Sequence, residues 1–162
     1  MTLVAVVSAT FLFPARQAHY QRVENDLKLS QEFVTSFSNS IIKTVDYFNA
    51  STTYACRLPT KAPGDNEKKS DEYYDKFLSV APPYPVSCDL VGVYFDPDTA
   101  QAADDLKKKI EKYLEEYETP NERSCEKKKE EAQEILGTYD EIRKKMIAQI
   151  QLKASEKASE DR

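Results

Sequence analysis

The sequence predicts an all-α fold: an up-down helical bundle of three long helices and one short helix, with a Pro-rich apolar loop crossing one side. Three observations carry this. Only Gly64, Gly92 and Gly137 are glycine, while Lys, Glu, Ala and Leu abound, a composition that favours helix over a turn-rich β fold. Long stretches repeat apolar residues at steps of three and four, the period of one helix face. No segment sustains the alternation of a half-buried strand.

The chain opens on an apolar run from Leu3 to Phe13, followed by Pro14 and small or polar residues through Ala18. Its length, about ten residues, matches the hydrophobic region of an export signal and falls short of the ~20 residues of a spanning helix. Residues 1–18 are therefore read as a signal peptide, with a buried N-terminal helix as the alternative. The chain is then released with no stable membrane anchor. Residues 19–152 are read as one helical domain and residues 153–162, KASEKASEDR, as a frayed polar tail with little to bury.

Removing the leader takes away Arg16 alone from 23 basic residues set against 28 acidic ones, and shifts the net charge from −5 to −6. Acidity argues against nucleic acid, whose affinity comes from cations that displace phosphate counterions. The triplets Lys107-Lys108-Lys109, Lys127-Lys128-Lys129 and Arg143-Lys144-Lys145 are interleaved with acids and read as solvated helix faces.

In chain order, Val23, Leu27, Phe33, Val34, Phe37, Ile41, Val45 and Phe48 line one face of a long first helix. Hydroxyl and β-branched residues predict its end near Ser51 to Thr53. LPTKAPGDNEKK follows as a surface loop, and Ser70 is placed to cap a short helix over residues 71–80, stopped by Ala81-Pro82-Pro83. Residues 81–97, APPYPVSCDLVGVYFDP, combine prolines with an apolar content too high for a solvated loop. This segment either packs across the bundle or offers Tyr84, Val91, Tyr94 and Phe95 as a binding surface or pocket wall. Asp96-Pro97 reads as a cap with Pro at the first helical position, ahead of an apolar side of Ala103, Leu106, Ile110, Tyr113, Leu114 and Tyr117. Thr119-Pro120-Asn121-Glu122 repeats that start as a capping box. The last helix carries Cys125, Ala132, Ile135, Tyr139, Ile142, Met146 and Ile150, in phase through Gly137, which predicts one long or slightly bent helix.

Constellations that carry chemistry are few. His19 is the only histidine, which removes the imidazole schemes of hydrolases and two-His zinc helices from the folded body. At a processed N-terminus His19 could contribute to a copper site, but the chain offers too few further soft or nitrogen ligands, so no metal, cofactor or catalytic residue is assigned. The isolated glycines form no phosphate loop. Asn49-Ala50-Ser51 is a glycosylation sequon. Of three cysteines, Cys56 and Cys125 fall at the same end of an up-down bundle, which predicts their bridge and leaves Cys88 free or available to join a second chain. Among the tyrosines, Tyr74, Tyr113 and Tyr139 fall on predicted buried faces, whereas Tyr73 and Tyr84 do not.

This build, a leader, an acidic Lys/Glu-rich helical body, few cysteines and no catalytic set, resembles the small helical salivary proteins of blood-feeding insects. The albicin and anophensin group is similar in scale and class. The resemblance implies action by binding host complement, contact-pathway or immune proteins, and carries over no functional residue. The expected function is a secreted non-enzymatic protein that binds an extracellular protein. The alternatives are a carrier holding a small hydrophobic molecule between helices, with residues 89–95 as lid or wall, and a matrix component joined through Cys88.

Overall fold

A computed structural model describes residues 13–56, 63–115 and 122–160, and every regular element among them is helical. In order these are α1 (Phe13–Cys56), α2 (Pro63–Val80), α3 (Pro83–Asp89), α4 (Val91–Tyr94), α5 (Pro97–Glu115) and α6 (Glu122–Glu160). Most of the predicted leader, residues 1–12, lies outside the described residues; from Phe13 the helix is continuous across position 18. No described helix is long and apolar enough to cross a membrane.

The long helices alternate in direction. Phe37 meets Tyr139 with ring centroids 6.0 Å apart, while Cys56 is bonded to Cys125 and Glu24 faces Lys157, so α1 and α6 run antiparallel. Ser51 with Ser70 and Phe48 with Phe77 set α2 antiparallel to α1. Lys109 with Glu134, and Thr99 with Gln149, do the same for α5 and α6. Phe37, Ile41, Val45, Leu106, Ile110, Ile142 and Met146 sit at the centre of one apolar cluster that joins these helices.

Helix α1 runs past its expected end to Cys56. The hydroxyl residues do not break it, because their side chains find acceptors one turn back: Thr44 on the Ser40 carbonyl and Thr52 on that of Phe48. Burial of Ser51, Thr52 and Ala55 outweighs weak propensity there. Helix α2 begins at Pro63, two turns earlier than expected, so residues 63–69 are helix instead of loop; residues 57–62 lie outside the described residues. Proline at a first helical position removes an amide that has no partner anyway. Ser70 is accordingly not a cap. It lies mid-helix, buried, with its hydroxyl donating to the Ser51 carbonyl at 3.1 Å.

The segment predicted as a Pro-rich loop is the helical pair α3 and α4. Pro82, Pro83 and Pro85 all fall in the opening turn of α3, where amides have no intrahelical acceptor, so the prolines cost few hydrogen bonds. The Asp96 cap holds as expected, its carboxylate accepting from the Thr99 amide at 2.7 Å. The TPNE box falls largely outside the described residues, as does Tyr117; α6 is under way by Glu122. It passes Gly137 without interruption, and its expected apolar line is buried from Ala132 to Ile150. Where a frayed tail is expected, α6 continues to Glu160, with Lys153 donating to the Tyr94 carbonyl at 3.2 Å.

Candidate binding surfaces

The α3–α4 corner carries apolar side chains on both faces. Its inner face is formed by Tyr84, Cys88, Val91 and Phe95, at spacings of four, three and four, and all four are buried. Tyr94 is partly buried, its ring stacked on Phe33 with centroids 4.8 Å apart. Of the four residues expected to form a binding surface or pocket wall, Tyr84, Val91 and Phe95 therefore belong to the core and Tyr94 packs against it. Burial is also the main reason the Tyr84 hydroxyl is pushed up to about 12, with Glu111 adding to the shift.

The outer face of the same corner is what reaches solvent. Val86, Leu90 and Val93 repeat at i, i+4 and i+7 and remain 58%, 42% and 68% exposed. Their backbone is fixed: the Leu90 amide donates to the Val86 carbonyl and the Val93 amide to the Leu90 carbonyl, both at 3.0 Å. At the edge, Lys107 pairs with Asp89 at 2.8 Å. The apolar side chains of this segment thus divide between a buried inner face and an exposed outer one.

The predicted disulfide is present: Cys56 and Cys125 are bonded, with Cα atoms 6.1 Å apart. Cys88 is the remaining thiol. It is buried, and burial first, then the nearby Asp89 carboxylate, pushes its pKa up to about 12, which keeps it protonated and unreactive. A bridge to a second chain through Cys88 would require the corner to open. Asn49 is half-buried within α1, and the hydroxyl of its sequon, on Ser51, is turned into the α1–α2 seam.

The tyrosine assignment inverts at two places: Tyr74 is exposed and Tyr84 is core. Tyr73 lies between, stacked on Tyr54 at 5.5 Å and under the Lys76 ammonium at 4.7 Å. The basic triplets are largely ion-paired, as in Lys108 with Asp104 and Lys144 with Asp140 and Glu141. Lys128 departs from the expected solvated face. It is buried, donating to the Tyr113 carbonyl at 2.6 Å and lying over that residue's ring, and so satisfies a backbone acceptor in the last turn of α5. Nothing in the sequence separates it from Lys127 and Lys129 except its position on the inner side of α6.

Between α1, α2 and α5 runs a groove of about 380 Å³ that the sequence did not signal. Phe48, Tyr74, Phe77 and Leu114 wall it, and Ser51, Ser70 and Asp71 form its polar end. His19 stands exposed at the far end of α1, and the described residues contain no group of three or more His, Cys, Asp or Glu arranged to hold a metal ion. The chain matches no protein-family model, no curated protein and no solved structure.

Proposed function

We propose that the protein is a secreted, non-enzymatic binding protein that presents the outer face of the α3–α4 corner to an extracellular protein partner. The observation that carries this reading is the exposed row of Val86, Leu90 and Val93 on a backbone locked from behind by Tyr84, Cys88, Val91 and Phe95. Large aliphatic side chains grouped on a surface favour association, and a helical row at i, i+4 and i+7 fits an apolar groove on a partner. Because the corner is already ordered, little conformational entropy is lost when it docks. The Asp89–Lys107 pair supplies a polar rim. The Cys56–Cys125 bridge is in keeping with an oxidising compartment. A host immune, complement or haemostatic protein is the partner class that the resemblance to salivary proteins implies.

The test compares native protein with a Val86→Asp/Val93→Asp variant as immobilised bait in plasma or tissue fluid. Both positions are exposed, so the variant should melt with the native protein while losing its partner, because each new carboxylate would be desolvated in the complex. Equal capture by the two baits, or no specific capture by the native one, would sink the reading.

A further inference from the structure

The groove between α1, α2 and α5 is independent of the corner, and its chemistry is specific enough to name a ligand class. We propose that it binds a small molecule with a flat apolar body and a primary ammonium head.

The apolar end is aromatic. Phe48 and Phe77 meet edge to face with centroids 5.1 Å apart, and Tyr74 leans against Phe77 at 5.7 Å. Such rings offer both faces and edges to a further ring. At about 380 Å³, the groove is within the size range of small-molecule sites.

The polar end brings two buried hydroxyls next to a carboxylate. Ser51 and Ser70 are 2% and 8% exposed. The Ser70 hydroxyl donates to the Ser51 carbonyl at 3.1 Å, and the two hydroxyl oxygens lie 3.4 Å apart, a contact in which either oxygen can be the donor. Ser30, Ser38, Thr44 and Thr52 of the same helix instead turn their hydroxyls back to carbonyls one turn earlier. With its hydrogen committed to the Ser51 carbonyl, the Ser70 hydroxyl still offers the groove oxygen lone pairs. Asp71, adjacent in sequence and also lining the groove, adds a carboxylate. A primary ammonium brings three donors and a positive charge to that set, whereas a carboxylate head would be repelled.

Phenethylamine, 2-phenylethanol and phenylacetate share one aromatic body and differ in the head, so backbone-amide NMR titrations of the native protein with each test the assignment. The amine should give saturable shifts centred on Ser70, Asp71 and Tyr74. Asp71→Asn should weaken it by about tenfold, the scale of a charge-assisted hydrogen bond, and leave the alcohol unchanged. Tyr74→Ala should weaken amine and alcohol together. Asp71 and Tyr74 are exposed, so an unshifted melting temperature is the control that both variants are folded. The Val86→Asp/Val93→Asp variant should bind the amine like the native protein, which separates this site from the proposed partner surface. Unsaturable or scattered shifts, phenylacetate binding as tightly as the amine, or an Asp71→Asn variant with native affinity would each overturn the proposal.

Discussion

Gln149 completes the cap of a helix whose capping residue, Asp96, lies 53 residues before it. Its amide nitrogen donates to the Asp96 carboxylate at 2.7 Å and to the Thr99 hydroxyl at 2.8 Å, while its oxygen accepts the Asp96 amide at 3.1 Å. A local start signal, Asp followed by Pro, thereby becomes a tertiary contact that fixes the register of α5 on α6.

This arrangement has a pH signature. The Thr99 amide, then its hydroxyl and Gln149, hold the Asp96 carboxyl below its ordinary range. A depressed folded-state pKa stabilises the protein above the unfolded value, about 4, and that contribution is lost as pH falls through the folded value. Asp96→Ala should therefore melt lower than the native protein at pH 7, and thermal scans should converge as the pH drops below that range. A constant difference at all pH values would assign the effect to packing instead.

The corner predicts a contrast between neighbours in sequence. Phe95→Ala removes a buried ring and should cost about 3 kcal/mol in urea unfolding. Val93→Ala, two residues away on the outer face, should stay within about 0.5 kcal/mol of the native protein. Comparable losses at both positions would mean that the outer face is covered.

Reduction of Cys56–Cys125, or Cys56→Ser with Cys125→Ser, should lower stability by roughly 4 kcal/mol, the chain-entropy value for a loop of this length. The measurement is urea unfolding with and without reductant, and indifference to reductant would refute a stabilising bridge.

Cys88 should resist alkylation in the folded protein at pH 8 and react stoichiometrically once unfolded, since its thiol is buried and its pKa pushed up to about 12. Mass spectrometry after iodoacetamide treatment, native against denatured, reads this directly; rapid labelling of native protein would show the corner to be open.

Gly137 lies on the exposed side of α6, and a methyl group added there meets nothing within 4 Å. Gly137→Ala should stabilise the protein by roughly 0.5–1 kcal/mol by restricting the unfolded chain. A lower melting temperature would reveal a bend at that position.

The long helices were legible because their apolar residues keep one phase over many turns: Phe37 to Phe48 and Ala132 to Ile150 are buried as the period predicts. The disulfide followed from direction alone. Ser70 misled because a hydroxyl followed by acids is the signature of a helix start, and only its contact with Ser51, 19 residues earlier, shows it to be interior. The corner misled for a different reason. Pro82, Pro83 and Pro85 look like helix breakers, yet their place in the opening turn makes them compatible with α3. With Tyr84, Cys88, Val91 and Phe95 on one side and Val86, Leu90 and Val93 on the other, hydrophobicity does not tell the inner face from the outer. The groove left no local signal, since it is made where Phe48, Phe77 and Leu114 from three helices meet.

The bond between positions 56 and 125 also determines what survives a protease. A single cut anywhere between these two residues yields two pieces that remain covalently one molecule. A second cut inside that span frees the piece between the two cuts, and cuts flanking α2 to α5 would leave those helices held by packing alone while α1 and α6 stayed tied. Nicking within the span and loss of the assembled protein are thus separate events.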